Sequence, residues 1–408
     1  MRSKVRVLLL ALDGFPTFRP DVTSLWGYLN REAIECDLLT VQSANFEPGV
    51  QHWAGGDLYL SRRAANKILE QVRWFFFALK ILWSVPRGRY DAIIVRDQTF
   101  IAIPARLFAR KLGIPFFYWM SFPIAESLAR LAGQISVKAQ PVRWLYLRLR
   151  GNLGAVVLYR LVLPFADHIF AQSDKMVEDL THRKLRAENI SSVPMCVDPI
   201  RFPPMPPRSR SRHEKPVVAY LGECSRIRRI DFILEALAHV KAVLPTIKLL
   251  IVGDALEKED QLWLRGEVAR LGLDDNTEIT GWVPAASVRP LLAQVDVALA
   301  LMAPDPILDS TSPTKLVEYL AMGLPVVAND HPDQRHVITT SQAGIVTLFK
   351  PQAYADAIIA LLRDNVDREA LGNRGREWVM TNRNYSVMAV GLAAILRTQI
   401  HARKKHYG

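Results

Sequence analysis

The sequence predicts an α/β protein of two doubly wound, Rossmann-like domains facing a cleft, followed by a helical tail. Three observations carry this expectation. Strand and helix patterns alternate through both halves, a proline-rich break separates the halves, and residues 312–330 read as one loop–helix–turn–strand module. In that module (SPTKLVEYLAMGLPVVAND) Ser312 is placed to cap a helix and Pro313 to begin it, where its missing N–H costs nothing. Leu316, Tyr319 and Leu320 share one face, Gly323 ends the helix, and Leu324-Pro325 turns into the strand Val326–Ala328. Lys315 falls in the first turn, where the helix dipole disfavours a cation unless an anion shares the free amides. Glu318, one turn on, is suited to accept two bonds from a vicinal diol such as ribose. The same two side chains also read as a solvated i,i+3 pair.

The chain supports this organisation in order. Val5–Leu12 reads as a buried strand running into a loop at Asp13-Gly14, since the apolar run is too short for a signal peptide. A helix around Val22–Ala33 and a strand at Cys36–Val41 follow. After a long insertion come a strand at Tyr90–Arg96, a helix at Ile101–Leu112 and a strand at Pro115–Met120. Asp167–Gln172 is a strand entering a helix that Ser173 can cap, and Ile190–Val193 is the last strand of this half. Seven prolines lie between Pro194 and Pro216, together with the Arg-Ser tract 208–215, which reads as a solvated linker. The second half repeats the scheme with strands at Val217–Leu221, Lys248–Val252, Glu278–Thr280, Val297–Leu301, Val326–Ala328 and Ile345–Leu348. Helices at Tyr354–Leu362, Arg368–Val379 and Val387–Ile400 close the chain.

Composition narrows the function. At 408 residues, half of them apolar and 23% charged, the chain is globular and long enough for two domains. Cys36, Cys196 and Cys224 lack the spacing of a zinc site or a disulfide framework, which favours a reducing, cytoplasmic setting. No Asp-x-Asp occurs, so no paired carboxylates are spaced to carry a divalent ion, and metal independence is expected. Residues 60–150 hold 16 Lys and Arg against 4 Asp and Glu, a net of +12 that equals the excess of the whole chain. Aromatics interleave with these cations at Arg73-Trp74-Phe75-Phe76-Phe77 through Lys80 and Trp83 to Arg87 and Arg89, and again at Arg143–Arg150. Such segments suit interfacial helices on an anionic membrane, or else an ordinary core with a basic rim. A sequence pI near 9.7 permits nucleic acid as a partner, but no recognition motif supports one.

The loop after the strand Val217–Leu221, Gly222-Glu223-Cys224-Ser225-Arg226-Ile227-Arg228-Arg229, brings three arginines to a strand's carboxyl end, either as an anion clamp or as a basic surface loop. Taken with ADHIFAQSDKMVEDL, PMCVDPIRF and the 312–330 module, YLGECSRIRRIDFILEAL resembles the family 4 glycosyltransferases, retaining enzymes of the GT-B fold. The resemblance spans roughly residues 165–385. It implies an acceptor-binding domain at 1–200, a nucleotide-sugar-binding domain at 201–385 and a terminal helix at 386–408 packing back on the first. It aligns Arg228 with the family's lysine on the diphosphate, Glu318 with its ribose-binding glutamate, and the Thr314 and Lys315 amides with those holding the distal phosphate. Arg228, Lys315 and Glu318 are thus the expected catalytic residues. Gly14, Gly222, Arg226, Arg229, Ser310, Ser312, Thr314, Lys315 and Glu318 are the expected donor contacts.

Departures from the pattern are specific. Ser310 stands where the family has a first glutamate, and Glu223 stands where it has an arginine, so Arg226 or Arg229 is the expected substitute. Residues 118–126 lack the first-domain histidine, leaving Ser121 and Glu126 as polar candidates. The expected activity is retaining transfer from a nucleotide-diphosphate sugar, without a cofactor, to a lipid-linked or polysaccharide acceptor at the inner membrane face. A non-catalytic nucleotide-sugar-binding protein and an epimerase of the same fold are the alternatives.

Overall fold

Both faces of the first strand are apolar, as burial between two helical layers requires. In β1 (Val5–Leu10), Val7 and Leu9 face one layer while Leu8 and Leu10 face the other. The computed structural model describes residues 4–17, 19–43, 52–204, 215–363 and 365–407. The Arg-Ser tract lies almost wholly outside them. The chain divides into two units, Met1–Asp198 with Tyr385–Gly408, and Pro199–Asn384.

In unit 1, α1 (Pro20–Arg31), β2 (Ile34–Val41), β3 (His52–Trp53), β4 (Gly56–Ser61), α2 (Lys67–Ser84), β5 (Ala92–Arg96) and α3 (Thr99–Leu112) follow β1. Then come β6 (Phe116–Met120), α4 (Ile124–Gln134), α5 (Pro141–Val157), β7 (His168–Ala171), α6 (Asp174–His182) and β8 (Ile190–Ser192). The sheet order is β3-β4-β2-β1-β5-β6-β7-β8, parallel except for the short β3–β4 pair. The expected insertion between Val41 and Tyr90 therefore contains two strands and α2. Gly55-Gly56 interrupts the local pattern, and β4 becomes a strand by pairing its Leu58 with Leu38 of β2. Ser173 caps α6, its Oγ accepting the Met176 N–H at 3.0 Å.

Unit 2 comprises β9 (Val217–Leu221), α7 (Ile230–Val243), β10 (Lys248–Val252), α8 (Lys258–Arg270), β11 (Thr277–Ile279), α9 (Ala285–Leu292) and β12 (Val297–Ala300). It continues with α10 (Thr314–Ala321), β13 (Val326–Asn329), α11 (Pro332–Ser341), β14 (Gly344–Thr347), α12 (Pro351–Leu362) and α13 (Arg368–Asn382). Its sheet is wholly parallel in the order β11-β10-β9-β12-β13-β14. That is the doubly wound order, which reverses between β9 and β12 and opens a ligand crevice at their carboxyl ends.

The last helix, α14 (Tyr385–Tyr407), belongs to unit 1. Tyr385, Ala389, Leu392, Ala393, Leu396 and Ile400 form a helical stripe that packs with Val22, Leu25, Trp26 and Leu29 of α1. They close one face of the unit 1 sheet; α2, α3 and α6 close the other with Trp74, Ala78, Leu82, Ala105 and Leu180.

Candidate functional site

The unit 2 switch point is built from the end of β9, the loop after β12 and the start of α10. At Gly222, directly after β9, φ is +129°, and a Cβ would lie 2.5 Å from both Cε and Nζ of Lys315. Glycine is thus required twice over, by backbone conformation and by the approach of the lysine. Lys315 Nζ donates to Tyr220 Oη at 2.9 Å and sits 4.3 Å from that ring's centroid. Tyr220 Oη in turn donates to the Glu223 carbonyl at 3.2 Å. On the next turn of α10, Tyr319 Oη accepts the Leu221 N–H at 2.7 Å, tying the helix to the strand end.

The ends of α10 follow from local chemistry, with one correction. Gly323 adopts φ +70° and donates to the Leu320 carbonyl, while Leu324 N–H reaches Tyr319, terminating the helix as expected. At the other end the cap residue is Pro313, and no side chain caps the first amides. The expected Ser312 cap is therefore wrong. Its Oγ donates instead to Asp333 Oδ2 at 2.8 Å, and Arg383 donates to Ser312 Oγ at 3.4 Å and to Asp333 Oδ1 at 2.6 Å. A buried ion pair outcompetes the backbone for the hydroxyl. The amides of Thr314 and Lys315 consequently begin α10 uncapped, and they are available to an anion.

Further contacts hold the loop that precedes α10. Asn329 exchanges two hydrogen bonds with the Met302 backbone, at 2.7 and 2.8 Å. His331 Nε2 donates to the Leu308 carbonyl at 2.9 Å, while its Nδ1 accepts the Gln334 N–H. The histidine is thus a clamp between α11 and the loop. Ser310 is buried in the same loop.

Electrostatics at this site run against ordinary ionisation. Burial, with Arg228 nearby, pulls the Lys315 ammonium down to about 8. Burial pushes Glu318 up to about 7 despite the attraction of Lys315. Cys224 is held protonated, burial raising its thiol to about 12. A bound anion favours protonated Lys315, whereas acceptance of two hydroxyl bonds favours ionised Glu318. Affinity for a nucleoside diphosphate should therefore be greatest between about pH 7 and 8, falling on the acid side as Glu318 protonates and on the alkaline side as Lys315 deprotonates. Calorimetric titrations across pH 5.5–9.5 read both limbs; Lys315→Arg should move the alkaline limb upward and Glu318→Gln should abolish the acid one.

The three loop arginines do not form the expected common clamp. Arg226 pairs with Asp260 of α8 at 3.6 Å and lies over Trp263, and Arg229 pairs with Asp231 of α7 at 3.0 Å. Each is drawn to the helix nearest its short loop. Arg228, 50% exposed, pairs with Glu223 at 3.2 Å and is the one of the three whose charge acts on Lys315. The site thus gathers Gly222, Arg228, Thr314, Lys315 and Glu318, and sequence reasoning missed Tyr220, Asp333 and Arg383. A hydroxyl-bearing residue at the end of an apolar strand was the available signal for Tyr220.

Gly14 belongs to unit 1, in the loop after β1, with φ +72°. Beside it, buried Arg96 pairs with Asp13 at 2.8 Å and Asp21 at 2.5 Å. Of the first-domain candidates, Ser121 donates its backbone N–H to Asp97 Oδ1 at 2.7 Å and its hydroxyl to Oδ2. Glu126 accepts from Tyr159 Oη at 2.5 Å and pairs with Arg183 at 3.4 Å, which is a structural role.

Comparison with known proteins places these features in context. The profile for glycosyl transferases group 1 matches residues 202–378, and that for a glycosyl transferase 4-like domain matches residues 19–196. A phosphatidyl-myo-inositol mannosyltransferase of Mycobacterium leprae is 32% identical over 44% of this chain and 46% of its own length. A GDP-mannose-dependent alpha-(1-6)-phosphatidylinositol monomannoside mannosyltransferase of Mycobacterium tuberculosis is 28% identical over 53% of this chain and 58% of its own. The matches thus span about half the length of these relatives. Among solved structures, a sucrose-phosphate synthase from Thermosynechococcus elongatus superposes with TM-score 0.74 at 18% identity, covering 98% of this chain and 100% of the other. The Anabaena protein HepE in complex with UDP gives 0.71 at 17% identity, covering 97% and 100%. At these identities the structural likeness concerns the fold.

Proposed function

The chain belongs to the glycosyl transferases of the GT-B fold, its two halves matching the 4-like and group 1 domains, and from that premise we propose that it transfers a sugar, with retention, from a nucleotide-diphosphate sugar to a lipid-linked acceptor. The observation that carries the donor half is the cradle of uncapped α10 amides, Lys315 and Gly222 at the unit 2 switch point. The amides and Lys315 meet the diphosphate, and Glu318 accepts the ribose hydroxyls. As the bond to the anomeric carbon breaks, the negative charge gathering on the departing diphosphate falls on groups already oriented toward it. These residues supply the positive charge themselves, so the reaction proceeds without a divalent ion or cofactor.

A screen of GDP-, UDP- and ADP-sugars tests this reading, GDP-mannose first because the mycobacterial relatives are named as GDP-mannose-dependent. A ligand at 100 times its dissociation constant stabilises the folded state by about 2.7 kcal/mol, visible as a raised melting temperature. Stabilisation by none of the three classes overturns the proposal. With the donor identified, Glu318→Ala should cost about 1.5–3 kcal/mol of donor affinity by calorimetry, as for hydrogen bonds to a charged group. Unchanged affinity would remove Glu318 from the ribose site.

The acceptor half rests on unit 1. Among the described residues no helix is long and apolar enough to cross a membrane. On α2 the aromatics divide: Trp74 is core, while Phe76 is 63% and Trp83 77% exposed. Arg89, 36% exposed, is drawn partly inward: it bonds Tyr59 Oη at 2.8 Å and lies 3.6 Å from buried Asp37. Arg73, Lys80, Arg143 and Arg148 remain exposed beside the apolar stripe. The chain thus reads as a peripheral protein of an anionic, inner membrane face. Liposome flotation should require anionic lipid, weaken with salt, and be lost when Phe76 and Trp83 become Ser. Equal flotation with neutral vesicles would refute the electrostatic part of this reading.

A further inference from the structure

A cavity of about 410 Å³ opens in unit 1 between α2, α4 and α5, and its walls and its charges point to different parts of one molecule. Its floor carries Trp74 and Ile101 from the sheet-packing layer, and its mouth is formed by Val72 and Phe76 of α2 with Leu149 and Leu153 of α5. These four mouth residues are between 46% and 63% exposed, an apolar surface that water covers at a cost. Two charged groups line the cavity. One is Arg150, whose Nη1 donates to Tyr146 Oη at 2.7 Å; Tyr146 Oη donates onward to Gln71 Oε1 at 3.1 Å. Among the described residues no carboxylate pairs with Arg150. The other is Asp97, at the carboxyl end of β5, where the unit 1 sheet order reverses between β1 and β5. Asp97 adopts φ +57°, a left-handed conformation that a residue with a side chain holds only under constraint, and its carboxylate is fixed by Ser121.

We propose that this cavity binds a single apolar chain joined to a phosphate, with the chain against the α2–α5 walls and the phosphate on Arg150. The volume is that of an ordinary ligand pocket, apolar with a few convergent polar groups. The unpaired guanidinium selects an anionic end over a neutral one, because a partly desolvated cation gains most from an opposite charge. Asp97 lines the same space, so a head group beyond that phosphate presents its hydroxyls toward the carboxyl end of β5. The inference rests on the acceptor half of the proposed function and names its site. Both a prenyl phosphate and a single-chain lysophospholipid carry the required chemistry.

The test uses the full chain and a fluorescent single-chain fatty acid below its micelle concentration as the reporter, displaced by dodecyl phosphate or by uncharged dodecanol. Dodecyl phosphate should displace the reporter saturably and about tenfold better than dodecanol. Arg150→Gln should erase that preference, Arg150→Lys should restore part of it, and Val72→Gln with Leu149→Gln should weaken both ligands. Melting temperatures and nucleotide response should stay unchanged in all three, which separates failure here from failure of the donor site. Farnesyl phosphate and lysophosphatidylinositol, compared as displacers, distinguish the two sources. Absence of saturable displacement, or equal displacement by phosphate and alcohol in the unaltered protein, overturns the proposal.

Discussion

Lys315→Ala should lower kcat by about 10²–10³, measured with chelator present, while leaving the melting temperature within a few degrees. The magnitude is that of removing one oriented charge-stabilising donor from an active site. Lys315 rests on Tyr220 and fills the space that Gly222 leaves open, so its ammonium is held in one place. Its pull is realised mainly when the leaving diphosphate gains charge, so kcat should fall more than donor affinity does. Arg228→Ala should cost much less, about tenfold. The Arg228 guanidinium is half exposed and already shared with Glu223, and screened surface charges contribute little. The reverse order of effects would move the principal cation from the helix to the loop. Activity abolished by chelator and restored by Mg²⁺ would show that an ion supplies the charge.

Arg383→Met should destabilise unit 2 by about 3–5 kcal/mol, because it strands a buried carboxylate. Arg383 and Asp333 are each only 5% exposed, and the Ser312 hydroxyl completes their network. Replacing both partners, Arg383→Met with Asp333→Leu, should recover most of that loss, since two matched apolar groups leave no uncompensated charge. Donor affinity should nonetheless stay reduced in the double variant, because Ser312 then lacks the partner that holds the loop before α10. Denaturant titration separates the two effects from nucleotide calorimetry. A double variant as unstable as the single one would mean that packing, not charge, is what Arg383 supplies.

Much of the architecture was legible in the residues because it is local. Alternating apolar runs, the glycine after β9, Gly323 at the end of α10 and the cap at Ser173 all depend on backbone geometry within a few positions. The family resemblance rode on the same short motifs, and it singled out Lys315 and Glu318. What the tertiary structure decided lies between positions distant in sequence. Strand order brought Tyr220 beneath Lys315, 95 residues away, and gave Ser312 a partner at Asp333 in place of the helix amides. It sorted the aromatics of α2 into core and surface, and returned α14 to the unit from which the chain began. Amphipathic periodicity says that a helix has a buried face, but which sheet accepts that face depends on where a twisted parallel sheet leaves room. A hydroxyl or a guanidinium bonds whichever partner folding leaves desolvated beside it, and no spacing rule carries that information.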